Sequence, residues 1–134
     1  MKKITTLILF LSLSILSFSQ DDIKPCGQLP HVNPTVKAKC TNEIDAILAE
    51  SLPSSFSKDK NYESTFKLIV DCNGRIDMVI YKKGNLSESQ QKYFLTQLNK
   101  LKDWSAGQVE GRDVSTTVYF TIDVKKREIV FKQY

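Results

Sequence analysis

The chain has 134 residues, 41% of them hydrophobic and 25% charged, with a formal net charge of +4. That length suffices for one domain around one modest core. Part of the positive charge lies at the very start, and nucleic-acid binding loses its main compositional support once that part is set aside.

Lys2 and Lys3 precede an apolar, serine-diluted run over residues 4–18, and Ser17 and Ser19 stand at the −3 and −1 positions of a cleavage site before Gln20. These are the parts of a secretory signal peptide over residues 1–19. Cleavage removes two of the 19 basic side chains, against 15 acidic ones, and halves the net charge. The apolar run is shorter than the ~20 residues of a transmembrane anchor, and Asp21-Asp22 follow it, so the exported chain is not membrane-spanning. Cys26 follows Ile23-Lys24-Pro25 rather than a small-residue box, which argues against lipidation.

Residues 20–40 hold Pro25, Pro30 and Pro34 without apolar periodicity and read as an extended arm. The domain proper is expected over residues 41–134. Thr41 or Asn42 can cap a short helix with Ile44, Ile47 and Leu48 on one face, ended by Pro53 and the serine-rich residues 54–57. Tyr62, Ser64, Phe66, Leu68 and Val70 then alternate with Glu63, Thr65, Lys67 and Ile69 as a strand. Asn73-Gly74 signals a tight hairpin, since both residues tolerate positive φ. The return strand, residues 75–82, is expected to turn Ile76, Met78 and Ile80 inward.

Ser87-Glu88-Ser89-Gln90 fits a capping box, and Phe94, Leu95, Leu98 and Leu101 make an apolar stripe behind it. Trp104, the sole tryptophan, is expected to fold back under that helix end, with Gly107 and Gly111 allowing a tight loop into the next strand. There Val114, Thr116, Val118, Phe120, Ile122 and Val124 face one side; Ser115, Thr117, Tyr119 and Thr121 face the other. Lys125-Lys126-Arg127 is a turn into a short last strand over residues 128–132. The pattern predicts an α+β fold, an antiparallel sheet with one covered face and one main helix packed on it.

No motif carries catalysis. His31, the single histidine, sits among prolines with no carboxylate or cysteine placed to act with it, and the chain lacks a phosphate loop and a nucleophile elbow. The expectation is a non-enzymatic protein without cofactor or metal. Three cysteines in an exported chain leave one unpaired within it. A Cys26–Cys40 bridge, which would staple the arm to the first helix, is the expected pairing; a bridge to Cys72, in the turn, and no bridge are the alternatives.

Val70-Asp71-Cys72-Asn73-Gly74-Arg75-Ile76, followed by Trp104-Ser105-Ala106-Gly107, Gly111 and Val114, resembles the C-terminal domain of TonB, the periplasmic energy-transducing protein, and its TolA-like relatives. The resemblance covers about residues 66–124. Asn73 replaces the family's usual acidic residue and Ala106 its proline. It makes Asp71, Gly74, Trp104, Gly107, Gly111 and Val114 structural motif residues. It also implies a protein-binding role, in which a sheet edge takes up an extended segment of an outer-membrane TonB-dependent receptor by strand addition. Ser115, Thr117, Tyr119 and Thr121 are the expected partner-binding edge. A last strand folded back onto that edge would favour the alternative, an exported structural or interaction module with no transport role. An open edge could also pair with its own copy in a homodimer.

Overall fold

The computed structural model describes Cys26, Gly27 and residues 29–134. The expected signal peptide, residues 1–19, lies outside the described residues. Ten elements follow in chain order: β1 (Lys39–Cys40), α1 (Ile44–Glu50), β2 (Tyr62–Val70), β3 (Ile76–Gly84), α2 (Glu88–Asn99), β4 (Trp104–Ser105), β5 (Gly107–Val109), β6 (Arg112–Val114), β7 (Thr116–Lys125) and β8 (Glu128–Gln133).

The two longest alternating stretches of sequence become the two central strands. β2 and β7 pair antiparallel without a register shift, from Tyr62↔Val124 to Val70↔Thr116. Opposed residues of an antiparallel pair share a face, so Phe66 meets Phe120 and Leu68 meets Val118 on one buried side. The Phe66 and Phe120 rings stack at 5.6 Å, and Phe94 of α2 closes on Phe66 at 6.1 Å. β3 and β8 flank the pair, giving the order β3-β2-β7-β8. α2 lies against β3 and α1 against β8, and the Tyr93 hydroxyl of α2 donates to the Leu48 carbonyl of α1 at 2.9 Å. This is the expected antiparallel α+β arrangement, with two helices and four additional short strands.

α2 starts as its sequence dictates. Ser87 Oγ accepts from the Gln90 amide, and Gln90 Oε1 accepts from the Ser87 amide at 2.9 Å, a complete capping box. α1 differs from expectation: Glu43 occupies its N-cap with no side-chain bond, so neither Thr41 nor Asn42 caps it.

The β2–β3 pairing corrects the expected facing of β3. Val70 opposes Ile76, but Ile69 opposes Met78, so Asp77 is an extra residue in a β-bulge. The bulge reverses the alternation, because a one-residue slip moves side chains to the other face. Ile76, Val79 and Tyr81 pack against the core, whereas Met78 lies opposite Ile69 on the other face with 46% exposure. Ile80, opposite Lys67, shares that outer face.

The Lys125-Lys126-Arg127 run is a turn, and its third cation has internal work. Lys126 (φ 50°) and Arg127 (φ 67°) form a two-residue hairpin loop with both central residues left-handed, the type I′ pattern. Arg127 donates to the carbonyls of Pro53 (2.9 Å), Phe56 (2.8 Å) and Leu52 (2.7 Å), fastening the segment behind α1 to the sheet. Arg127→Ala is expected to cost about 2–3 kcal/mol, since three charge-assisted bonds to backbone carbonyls are lost together. Arg127→Lys recovers only part, because one ammonium cannot serve three carbonyls as a planar fork does. Urea midpoints of the three proteins test this.

Candidate partner-binding edge

The motif residues converge on one structural knot. Asp71 organises the β2–β3 turn: its Oδ1 accepts from the amides of Asn73 (2.8 Å) and Arg75 (2.9 Å), and its Oδ2 accepts from the Arg75 guanidinium at 3.1 Å. The Asp71 amide donates to the Arg75 carbonyl and the Gly74 amide to the Asp71 carbonyl. The loop therefore has three residues, Cys72-Asn73-Gly74, with only Gly74 left-handed (φ 75°). It is not the two-residue Asn-Gly turn expected, because the Asp71 carboxylate captures amides that such a turn would not present.

A Cβ on Gly74 would overlap the Trp104 carbonyl oxygen, so the hairpin tip rests on the backbone of β4. Trp104 is buried at 6% exposure and pairs with Cys40 of β1. Gly107 opens β5 against the Thr116 side chain. Glu110 and Gly111 turn β5 into β6, and Val114 pairs with Gly107. The motif is a scaffold joining hairpin, helix end and β7.

Burial would raise the Asp71 carboxyl, but the amides of Arg75 and Asn73 and then the Arg75 guanidinium outweigh it, and the group titrates below its ordinary 3.8. A carboxylate with a depressed folded pKa contributes stability that is present above the unfolded value and lost as pH falls through the folded one. Stability should therefore drop below about pH 4, and Asp71→Asn should flatten that part of the profile. Denaturant midpoints between pH 2.5 and 6 check it.

The cysteine pairing corrects the expected bridge. Cys26 bonds Cys72, with Cα atoms 5.6 Å apart, and Cys40 is the free, buried thiol. β1 holds Cys40 beside Trp104, where its Sγ reaches the Lys102 carbonyl at 3.6 Å. Proximity in sequence favoured Cys40 only weakly, since closure entropy grows slowly with loop length. Burial pushes the Cys40 thiol up; a hydrogen bond with the Asn42 backbone offsets this in part, and the Asp103 charge adds to it. That is the opposite of an activated thiolate.

β7 is not an edge, which corrects the expected binding surface at Ser115, Thr117, Tyr119 and Thr121. β8 covers it from Phe120 to Lys125. Beyond β8, the Tyr134 amide donates to the Tyr119 carbonyl at 2.9 Å. Further still, the His31 amide donates to the Ser115 carbonyl (2.8 Å) and the Thr117 amide to the His31 carbonyl (2.9 Å). The arm lies there as a short parallel bridge, His31↔Thr116. Ser115 and Thr117 are 8% exposed.

The outer edges of the sheet belong to β3 and β8. β3 carries two register shifts, with Asp77 and Lys82 as the extra residues. Bulges and charges of this kind blunt an edge. β8 pairs with β7 without a shift. Because Tyr134 bonds back to Tyr119, alternation of the ladder turns the backbone groups of Ile129, Phe131 and Gln133 away from β7. Beside Phe131 and Gln133 runs a groove of about 240 Å³. Phe131 and Gln133 form one wall, and β1 with the start of α1, including Cys40, Asn42 and Ile44, forms the other. Gln133 Nε2 donates to the Ala38 carbonyl across one end at 2.8 Å. The sequence showed β8 as a strand but not its groove, because the wall comes from residues about 90 positions away.

His31 lies in the arm bridge, and among the described residues no group of three or more His, Cys, Asp or Glu side chains is placed to hold a metal ion. No described helix is long and apolar enough to cross a membrane. No family model, curated protein or solved structure matches the chain.

Proposed function

We propose that the protein is an exported, non-enzymatic interaction module that binds an extended segment of another protein along the outer edge of β8. The observation carrying this is the unshifted β8 edge with the groove beside Phe131 and Gln133. Strand addition needs an edge with backbone groups turned outward and room for alternate side chains, and β8 supplies both where β3 does not. Each added backbone bond contributes about 0.5–1.5 kcal/mol net, so a five-residue segment binds weakly and reversibly. The resemblance to the TonB C-terminal domain supports strand addition as the mode and the periplasm as the site. The disulfide fits an oxidising, exported compartment. The folded-back β8 lies where a receptor segment was expected on β7. It thus favours the module without a transport role over an adaptor for outer-membrane receptors.

A photo-crosslinking residue at Val130, with a second at Met78 on the opposite edge strand, tests the reading in native envelopes. The expected result is an adduct with another protein from Val130 only, suppressed by Ile129→Pro, which deletes an amide hydrogen facing away from β7. Equal capture at Met78, no capture, or capture of only a second copy of the chain would sink it.

A further inference from the structure

The arm makes a contact that its side chains do not explain. Leu29, Val32 and Val36 are 89%, 59% and 49% exposed, so its apolar residues bury little. Over residues 29–37 it is held chiefly by backbone bonds: two at His31, with Ser115 and Thr117, and two at Val36, with Gln108 (3.0 and 2.8 Å). A segment with so little burial stays docked only if it is kept close, and the Cys26–Cys72 bond to the hairpin tip keeps it there. Where it docks, the arm satisfies outward backbone groups of β7 beyond the reach of β8, as a bound strand would. The covered residues, Ser115 and Thr117, are themselves buried.

We propose that residues 29–37 form a latch on β7, closed by the Cys26–Cys72 disulfide and opened when a dithiol reductant cleaves it, while Ala38 stays anchored in the core. The reductant's two thiols become a disulfide, and two electrons and two protons pass to Cys26 and Cys72, which become thiols. The freed arm then leaves the backbone of Ser115 and Thr117 open to an extended segment in the arm's parallel orientation. This second edge is independent of what β8 binds.

Amide exchange of the full chain, oxidised and in dithiothreitol, tests the latch. Reduction should speed exchange at His31, Val36 and Thr117 at least tenfold while Phe120 and Ile122 keep their protection, and Cys26→Ser should reproduce this without reductant. Unchanged exchange at Thr117, or loss of protection throughout the sheet, would overturn it. A fluorescent peptide copying residues 29–37 should bind the reduced protein and the Cys26→Ser chain but not the oxidised protein. Binding to all of them, or to none, would equally overturn it.

Discussion

Phe56→Ala is expected to lower stability by about 3–5 kcal/mol, the cost of deleting a fully enclosed aromatic side chain. Phe56 is 0% exposed and stands among Tyr62 (5.1 Å), Phe94 (5.2 Å) and Tyr93 (6.3 Å). Its backbone is pinned on both sides: the amide donates to the Pro53 carbonyl, and its own carbonyl accepts from Arg127. Residues 51–57 therefore cannot sink into the space vacated, and the cavity persists. Tyr62 and Tyr93 also cannot move far, since the Tyr62 hydroxyl accepts from the Ser57 amide and Tyr93 bonds Leu48. Phe56→Leu keeps much of the volume and should cost less than about 1.5 kcal/mol. Urea unfolding at constant m-value measures both. A cost below about 1 kcal/mol for the alanine would mean that this segment is peripheral to the core.

Phe56 also shows where sequence reading stops. One aromatic among four serines has no periodicity, and only the tertiary approach of α2 and Arg127 makes its site. By contrast β2, β7 and α2 were legible because several residues at period 2 or 3.6, or a reciprocal cap, say the same thing. β3 was legible as a strand, but half of its facing was not. Asp77 gives no sign in sequence that it is the surplus residue of a bulge, and the residues from Met78 to Tyr81 change face until a second surplus residue, Lys82, restores the alternation.

The candidate site was harder still, because an edge is a property of the whole sheet. The alternation of residues 116–124 sorts the side chains onto the two faces of β7, although Val114, expected on the same strand, belongs to β6; it says nothing about which strand lies alongside. The arm is the clearest case. Its prolines mark it as extended, but its bonds to Ser115, Thr117 and Gln108 span more than 70 residues and involve only backbone atoms. Backbone pairing leaves no mark on residue type. The disulfide was hidden for the same reason: three cysteines allow three pairings, and the choice is made by where the hairpin tip comes to rest.

That resting place is the subject of the second large effect, Gly74→Ala, expected to cost about 2–4 kcal/mol in total. Two penalties combine there. A left-handed residue with a Cβ costs about 1–2 kcal/mol, and the Cβ itself would overlap the Trp104 carbonyl oxygen, a backbone atom held in the β1–β4 pair. Gly111 separates the two. It has the same φ, 75°, but nothing lies within 4 Å of where its Cβ would sit. Asparagine tolerates left-handed backbone far better than alanine does, so Gly111→Asn should be nearly neutral, within about 0.5 kcal/mol. Gly74→Asn relieves the backbone penalty equally but keeps the overlap, and should still cost about 1–3 kcal/mol. If the two asparagine variants unfold at the same denaturant midpoint, the hairpin tip does not press on Trp104. If only Gly74→Asn falls, the turn is docked on the tryptophan strand. Strain there would also loosen the Cys72 end of the arm's tether, so His31 and Thr117 should lose exchange protection in Gly74→Asn before the sheet does.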